Sequence, residues 1–296
     1  MAETNLREAE NIVTVEGILS EKALEKTKEQ VNGVTEDKIK GKITIKTSDT
    51  NFVQFNVNVN RLKKADQSGV REPNKIYAGL ETIMEQYMSI ADVGEEQADR
   101  VSVTTGQINA YHNQNTGRDT VSYKSNFFNR VTDNYSPKAE FKVELFVKSV
   151  VPEVRNGEET GRAIINGWLP TYNSIEPLEL IVEEDEADTA MSYFEPQQTY
   201  EFWGDIVATR IREEKILEGG FGKARKEVKT TFKNELICTG SSDAYDEEAN
   251  PSLKPYDVDA INLAIQERKD KLNNNNTPQQ KARPSASSKG RALPDF

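Results

Sequence analysis

The chain has 296 residues and a formal net charge of -11, with 38 Lys and Arg against 49 Asp and Glu. Its single cysteine, Cys238, excludes an internal disulfide and a zinc site built from cysteines. No apolar run approaches the roughly 18 residues of a membrane-spanning helix, and the N-terminus lacks an apolar signal segment. We therefore expect a cytoplasmic protein with no membrane partner.

The first half of the chain predicts the order strand, strand, strand, helix, strand, strand. Alternating apolar and polar residues indicate strands in NIVTVEGIL, KIKGKITIKT and NFVQFNVNVN, and the third is the clearest because its apolar residues share one face. After Pro73, apolar residues recur at helical spacing from Ile76 to Met88. Two more strands are expected on either side of the turn-rich segment HNQNTGRD.

The second half of the chain repeats this order. Strands are predicted in KAEFKVELFVKSVV, twice in GRAIINGWLPTYNSIEPLELIVEED, and in QTYEFWGDIVATRI and KEVKTTFKNELICTG, with a short helix in EADTAMSYF. Local similarities support a duplication, since RVSVTTGQI resembles TYEFWGDI, GKITI resembles GRAII, and NFFNRV resembles TFKNEL. We therefore predict one module at residues 10–134 and a second at residues 137–241.

The remaining residues are predicted to form no third module. Residues 242–272 combine an acidic linker with a short helix, for which Asp257 or Asp259 is the candidate N-cap. Residues 273–296 form a basic tail that is almost without apolar residues until Leu293. Such a segment buries too little surface to offset the entropy of ordering, so we predict that it is disordered.

Five strands with a helix between the third and the fourth is the element order of the OB-fold. The predicted fold is therefore mainly β, with two OB-fold-like five-stranded barrels, each carrying one helix, and a disordered C-terminal tail. Such barrels bind oligonucleotides on strands two and three and on the flanking loops. The loop between strands four and five of the second module contains GGFGKARK, and residues 210–233 around it carry eight cations against four acids.

Binding an unpaired nucleic-acid strand requires cations for the phosphates and flat rings on which bases stack. The candidate platforms are Phe52, Tyr111, Tyr123, Phe128, Trp168, Tyr172, Trp203 and Phe221. The candidate phosphate contacts are Lys42, Lys46, Arg61, Lys63, Lys64, Arg118, Lys124, Arg162, Arg210, Arg212, Lys223, Arg225 and Lys226. Burial in the core is the competing interpretation for the rings, and solvated edge protection is the competing interpretation for strand lysines.

In this architecture the chain resembles the single-stranded DNA-binding proteins, particularly those of bacteriophages, from Ile12 to Gly240 and in the tail. Bacterial members of that group end in a disordered linker and an acidic tip finishing in Pro-Phe, which docks onto replication and repair enzymes. This chain ends in RALPDF, so Pro294, Asp295 and Phe296 are the candidate partner-binding residues. Because Asp295 separates the other two and the tail is basic, a contribution to DNA affinity is an equal alternative.

The resemblance implies sequence-tolerant binding and protection of single-stranded DNA in replication or recombination, in the host cytoplasm if the chain is phage-encoded. No enzyme activity, cofactor or metal site is expected. The single histidine, His112, lies in a turn, and GGFGKARK lacks phosphate-loop spacing because Leu217 occupies the position of the first glycine. Two alternatives remain, which are a β-module assembly protein of a phage particle and a recombination mediator with one DNA-binding and one protein-binding barrel.

Overall fold

The computed structural model describes residues 6–31, 34–64, 69–172, 174–217, 225–248 and 254–275. Only the backbone is described at residues 31, 34, 210–217, 225–232, 274 and 275. The strands are β1 (Asn11–Val31), β2 (Val34–Lys46), β3 (Phe52–Asn60), β4 (Arg100–Asn113), β5 (Arg118–Lys124), β6 (Asn129–Arg130), β7 (Lys138–Arg155), β8 (Glu158–Pro170), β9 (Ile175–Val182), β10 (Thr199–Leu217) and β11 (Arg225–Ser241). The helices are α1 (Lys75–Gln86), α2 (Ile90–Val93), α3 (Ala187–Tyr193) and α4 (Val258–Asn275). The protein is therefore mainly β, as predicted.

The pairing of the strands closes two circuits within one continuous sheet. In the first strand set, β1 to β5, antiparallel pairs join β1 to β2, β2 to β3, β4 to β5 and β1 to β4, and a parallel pair joins β3 to β5. The second strand set, β7 to β11, has the same pairs in the same order. Antiparallel pairing of β1 with β7 connects the two sets, from Asn11 opposite Val143 to Glu16 opposite Lys138.

The helices lie in the predicted places in the chain, between the third and fourth strands of each set. In α1, Asn74 is the N-cap, and its side chain accepts a hydrogen bond from the N–H of Ile76 at 3.1 Å. Leu80 and Ile83 of this helix are buried, which confirms the predicted apolar face. The alternation predicted for β3 is also confirmed, because Phe55 and the three valines are buried while Gln54 and Asn58 are exposed.

Two of the three local similarities fall on equivalent strands. The segments beginning at Gly41 and Gly161 lie on the second strand of their sets, and both glycines have positive φ, +141° and +85°. A Cβ at Gly41 would lie 2.0 Å from the carbonyl oxygen of Ala23, so this position requires glycine. The third similarity is wrong, because TFKNEL belongs to β11 whereas NFFNRV follows β5.

Helix α4 packs across both strand sets. It begins after Asp257, whose side chain accepts a hydrogen bond from the N–H of Ala260 at 2.8 Å, and this identifies the N-cap. Further along, Arg268 contacts Asp119 of β5 at 2.7 Å and Glu176 of β9 at 3.0 Å. Among the helices of the described ranges, none is long and apolar enough to span a membrane.

Candidate nucleic-acid interface

The outer surface of the first strand set is defined by the period-two geometry of its strands. On β2 and β3, residues such as Ile43 and Phe55 point into the core, so the residues between them point outward. The outward residues of four strands form what we call the lysine–amide face. Its members are Lys42, Gln54, Asn56, Asn58, Gln107, Asn109, Tyr111, Ser122 and Lys124. This set has amide, hydroxyl and ammonium groups and no carboxylate, while Glu21 and Glu25 of β1 border it on either side of Ala23, which is opposite Lys42.

One row of paired residues crosses the centre of this face. Lys42 of β2 lies opposite Asn56 of β3, Asn56 is paired with Lys124 of β5, and Lys124 lies opposite Gln107 of β4. Both lysines are exposed, and neither forms an ion pair with any residue in the described ranges. Because an unpaired ammonium group keeps its full attraction for phosphate, this row is the strongest anion-binding feature of the face.

The cations that border the face are already paired with acids. Lys46 contacts Glu95 at 2.8 Å and Asp49 at 2.9 Å, and these contacts raise its pKa, with Glu95 making the larger contribution. Arg61 contacts Asp37 at 3.1 Å. The pair of Arg61 is largely exposed, and such pairs stabilise a protein by only ~0.2–1 kcal/mol, so a phosphate can compete for Arg61. Lys46, which is only 12% exposed between its two carboxylates, is a weaker candidate than Arg61, and both are weaker than Arg118, which is exposed with no ion pair in the described ranges.

The aromatic candidates of the first strand set separate into core and surface. Phe128 is only 5% exposed and packs edge-on against Phe55, with ring centroids 5.7 Å apart. Tyr123 is also buried. A buried ring cannot stack on a base, so Phe128 and Tyr123 belong to the core, which corrects the expectation for both. Tyr111 is exposed and Phe52 is half-buried, so both rings are accessible.

Phe127 is an accessible ring that the sequence analysis missed. Its side chain is 52% exposed, in the segment that follows β5. The sequence FF gives no alternation by which to choose the outward ring, and the nearby turn-forming Ser125 gives the only local signal. The Ser125 hydroxyl accepts a hydrogen bond from the N–H of Phe127 at 3.2 Å, which fixes the turn at this point.

Arg162 of the second strand set belongs to a buried ion cluster. Its guanidinium contacts Glu153 at 2.8 Å and Glu235 at 3.3 Å, and Arg155 contacts the same two carboxylates. Burial acts to raise the pKa of Glu235, but hydrogen bonds from Arg162, Lys233 and Arg155 outweigh it and lower the pKa to about 2. Because both carboxylates stay ionised beside it, Arg162 has no free capacity for phosphate, which corrects its assignment to the interface.

The strands of the second set that correspond to the lysine–amide face are turned toward the first set. Outward residues of β8 and β9, among them Ile164, Pro177 and Ile181, line a cavity of about 350 Å³ whose opposite wall includes Thr120 and Val121 of β5. Trp168, opposite Pro177, is only partly exposed and packs against the core. The β8–β9 surface therefore forms part of the contact between the strand sets.

The two exposed aromatic candidates of the second strand set have different surroundings. Tyr172 is 83% exposed in the loop between β8 and β9. Trp203 is 41% exposed, but its neighbours on the same face of β10 are Glu201 and Asp205. Lys142, opposite Trp203, contacts Glu201 at 2.8 Å. The carboxylates around Trp203 would repel a phosphate backbone, so this ring lies outside the interface that we describe.

We call residues 210–233 the cationic hairpin; they comprise the end of β10, the start of β11 and the segment between them. The base of this hairpin lies beside the first strand set. The Asn51 amide donates to the Ile206 carbonyl at 2.9 Å and accepts from the Ala208 N–H at 2.6 Å, which places the base of the hairpin next to the start of β3. Paired backbone continues to Leu217 opposite Arg225. Arg210 and Arg212 lie on β10, and Arg225 and Lys226 lie on β11. The predicted contacts Phe221 and Lys223, and the tail residues Pro294, Asp295 and Phe296, lie outside the described residues.

The described residues contain no cluster of three or more His, Cys, Asp and Glu side chains arranged to hold a metal ion. The sequence matches the model of the family described as YorF over residues 9–278. No curated protein matches the sequence. The wild-type single-stranded DNA-binding protein from Thermus aquaticus is a similar solved structure, with a TM-score of 0.43 and 10% identity over 80% of this chain and 94% of that chain. A deletion mutant of that protein is similar with a TM-score of 0.42 and 10% identity, over 81% and 96% of the two chains.

Proposed function

The chain belongs to the YorF family, and we propose that it binds single-stranded DNA with little sequence preference. The observation that carries this proposal is the row Lys42–Asn56–Lys124–Gln107, in which two lysines without an ion pair in the described ranges flank an amide, on strands whose central outward residues include no carboxylate. The lysines would neutralise phosphates, and the amides can donate to phosphate oxygens or pair with exposed base edges.

We further propose that each strand set is an OB-fold-like barrel. The support is the pairing pattern, since five strands return to the first strand through one parallel pair between the third and the fifth. In this fold the nucleic acid lies on strands two and three and between two loops. The lysine–amide face covers β2 and β3, and the cationic hairpin begins beside β3 through Asn51. A DNA strand bound on the lysine–amide face would thus have the cationic hairpin at one end.

The stacking surfaces in this proposal are Tyr111, Phe52 and the exposed Phe127. Each stacked base contributes ~1–3 kcal/mol whatever its identity, so a few rings and a few phosphate contacts give tight binding without base selection. The expected cellular process is DNA replication or recombination, in a bacteriophage and its host cytoplasm, and this part rests on the architectural resemblance alone. Binding without catalysis fits a surface built from amides, lysines and rings.

The position of the second strand set favours one of the two alternatives. Its β8–β9 surface lines the cavity against β5, and the exposed Trp203 lies among carboxylates. DNA would then be held by the first barrel and the hairpin, while the rest of the second barrel is free for another task. A recombination mediator, in which one barrel binds DNA and the other binds a protein, is therefore the second candidate function. A purely structural assembly role gives no function to Lys42 and Lys124, which form no ion pair within the described part of the chain.

The test is a double substitution in the row, Lys42→Gln with Lys124→Gln. Each phosphate contact contributes about 0.7 to the slope of log affinity against log salt for single strands, so losing two should flatten the slope by about 1.4. If the two proteins bind equally at the reference concentration of 1 M salt, this difference in slope corresponds to an affinity loss of about 10-fold for oligo-dT at 0.15 M salt. Fluorescence anisotropy over a salt titration measures both quantities.

A matched control changes the net charge equally at exposed lysines of the second strand set and its flank. Lys148→Gln on β7 serves this purpose together with Lys254→Gln, in the segment before α4 whose backbone contacts Arg7. The control should keep the wild-type slope and affinity. Equal losses in the two double variants would mean that only the total charge matters, and unchanged binding in the row variant would remove the lysine–amide face from the site.

A further inference from the structure

A groove of about 330 Å³ opens where β2 and β3 reach α1, and its chemistry suits a nucleotide. Three lysines and four asparagines line it, together with a few apolar side chains, and no carboxylate of the described residues does. Leu62 is the exposed apolar residue of this wall. The groove lies at the small end of the ~300–1,000 Å³ range of ligand pockets, and seven of its ten lining residues are polar, so it suits a charged, hydrogen-bonding ligand better than an apolar one.

The lysines of the groove are available to an anion to different degrees. Lys64 is exposed and forms no ion pair within the described ranges. Lys63 contacts Glu72 at 3.1 Å, but both side chains are largely exposed, so the pair is weak and a phosphate can replace it. Lys38 is held more firmly by Glu29, at 2.6 Å. Lys63 and Lys64 are therefore the phosphate contacts that the groove offers.

The asparagines of the groove supply hydrogen-bonding groups, and one of them is held in place by its own hydrogen bonds. Asn74 is held in place, because it accepts from the N–H of Ile76 and donates to the carbonyl of Asn60 at 3.0 Å. In the described part of the chain, the side-chain amides of Asn58, Asn60 and Asn126 form no hydrogen bond. A primary amide presents both a donor and an acceptor, which is the pattern that base edges require.

The groove lies on the same strands as the lysine–amide row. Lys38 is opposite Asn60, and Lys42 is opposite Asn56, so the two places are four residues apart along the same pair of strands, or about 13 Å. The exposed ring of Phe127 follows Asn126 directly in the chain. A DNA strand that crosses the row and continues along β2 and β3 would therefore reach the groove and the ring of Phe127 next.

We propose that the groove is a nucleotide subsite of the bound strand, with the phosphate at Lys63 and Lys64 and the base against Leu62 and the free amides. The proposal rests on the proposed function and specifies the path of the strand, which runs from the row toward α1. It also gives Phe127 a role as a stacking surface beside the last bound base. The subsite engages only strands long enough to reach it from the row.

The experiment compares three proteins on oligo-dT of increasing length, from about 4 to about 16 nucleotides, which covers the range of site sizes known for one OB-fold. The groove variant is Lys63→Gln with Lys64→Gln, and the other two are the wild type and the row variant Lys42→Gln with Lys124→Gln. All substitutions are at exposed positions, and thermal melting verifies that each variant is folded. Affinity at 0.15 M salt is measured for each length.

We expect the row variant to bind every length about 10-fold more weakly, and the groove variant to lose about 10-fold only on the longer strands. Wild-type affinity in the groove variant at all lengths, with the row effect intact, would overturn the subsite alone. An equal loss at all lengths would also overturn it, because the effect would then be one of charge. If the wild type binds no length, both the proposed function and the subsite are wrong.

Discussion

Glu144 lies at the centre of a hydrogen-bond network whose loss should measurably destabilise the protein. The carboxylate is buried on β7 and forms a bidentate pair with Arg7, with both contacts at 2.6 Å. It also accepts from the N–H of Glu10 at 3.0 Å and from the hydroxyl of Tyr256 at 3.1 Å. Since Tyr256 lies two residues before the first residue of α4, the Glu144 side chain ties both the N-terminal segment and the approach to α4 to the sheet.

The cost of Glu144→Gln follows from the geometry of these bonds. Oε2 accepts three of the four bonds, so an amide oxygen in its place keeps them, but the amide NH2 then faces a guanidinium N–H of Arg7. Hydrogen bonds to charged groups contribute ~1.5–3 kcal/mol, and the 39% exposure of the Arg7 side chain lets water recover part of the loss. We expect Glu144→Gln to lower the free energy of unfolding by about 2 kcal/mol. Glu144→Leu removes all four acceptor contacts and should cost about 4 kcal/mol.

Urea unfolding followed by tryptophan fluorescence measures these differences. The matched control is Glu140→Gln on the same strand, because Glu140 is exposed and its carboxylate forms an ion pair only with Lys138, at 2.8 Å, among the described residues. Its loss should stay below about 0.5 kcal/mol. If Glu144→Gln were no more destabilising than the control, the buried network would not contribute the stability that its geometry implies.

The pH dependence of the same variant gives a second check. Burial acts to raise the pKa of Glu144, but the hydrogen bonds from Arg7 and the Glu10 N–H outweigh it, so the folded pKa lies below the usual value. The stability contributed by such a group is present above the unfolded pKa of ~4.3 and is lost as the pH falls through the folded pKa. The stability difference between the wild type and Glu144→Gln should therefore shrink on acidification, and a difference that grew would contradict the assignment.

Two further predictions concern single side chains. Burial raises the pKa of the Cys238 thiol to about 11, so at pH 8 the native protein should react with a thiol-specific reagent ~100-fold more slowly than the urea-unfolded protein, and equal rates would contradict the burial. Because carboxylates surround Trp203, the substitution Trp203→Phe should leave the affinity for oligo-dT within about twofold of wild type, and a larger loss would bring β10 into the interface.

Most of the fold was predicted from the alternation of apolar and polar residues along the strands. The prediction failed where a strand consists mainly of charged and polar residues and has no such alternation. In β3 the valines and Phe55 alternate with amides, which only a half-buried strand explains. Residues 20–31 of β1 consist largely of Glu, Lys, Ala and Thr, with no apolar face, so their pattern does not predict that the strand extends there. The structure extends it through cross-strand charges, such as Lys38 with Glu29 at 2.6 Å.

The candidate site was predicted in outline and missed in its details. Lys42 and Lys124 lie in one row, with Tyr111 four residues farther along β4, because pairing between β2, β3, β5 and β4 brings distant segments together, and such pairing follows from topology. Arg162 looked equivalent in sequence, but its surroundings are decided by Glu235, which is 73 residues away in the chain. A single sequence shows which residues carry charge, whereas the partners of each charge depend on the fold.

The acidity of the chain and the proposed binding of DNA are compatible because the acids are placed selectively. Glutamates of β1, such as Glu25 and Glu29, face Lys40 and Lys38 at the border of the lysine–amide face, while Lys42 and Lys124 remain unpaired in the described part of the chain. Since screening limits each charge to ~8 Å at physiological salt, a phosphate on the row responds to these two lysines more than to distant carboxylates. In the proposed complex, acids at the border would disfavour other paths, so the excess of negative charge would restrict the DNA strand to one track.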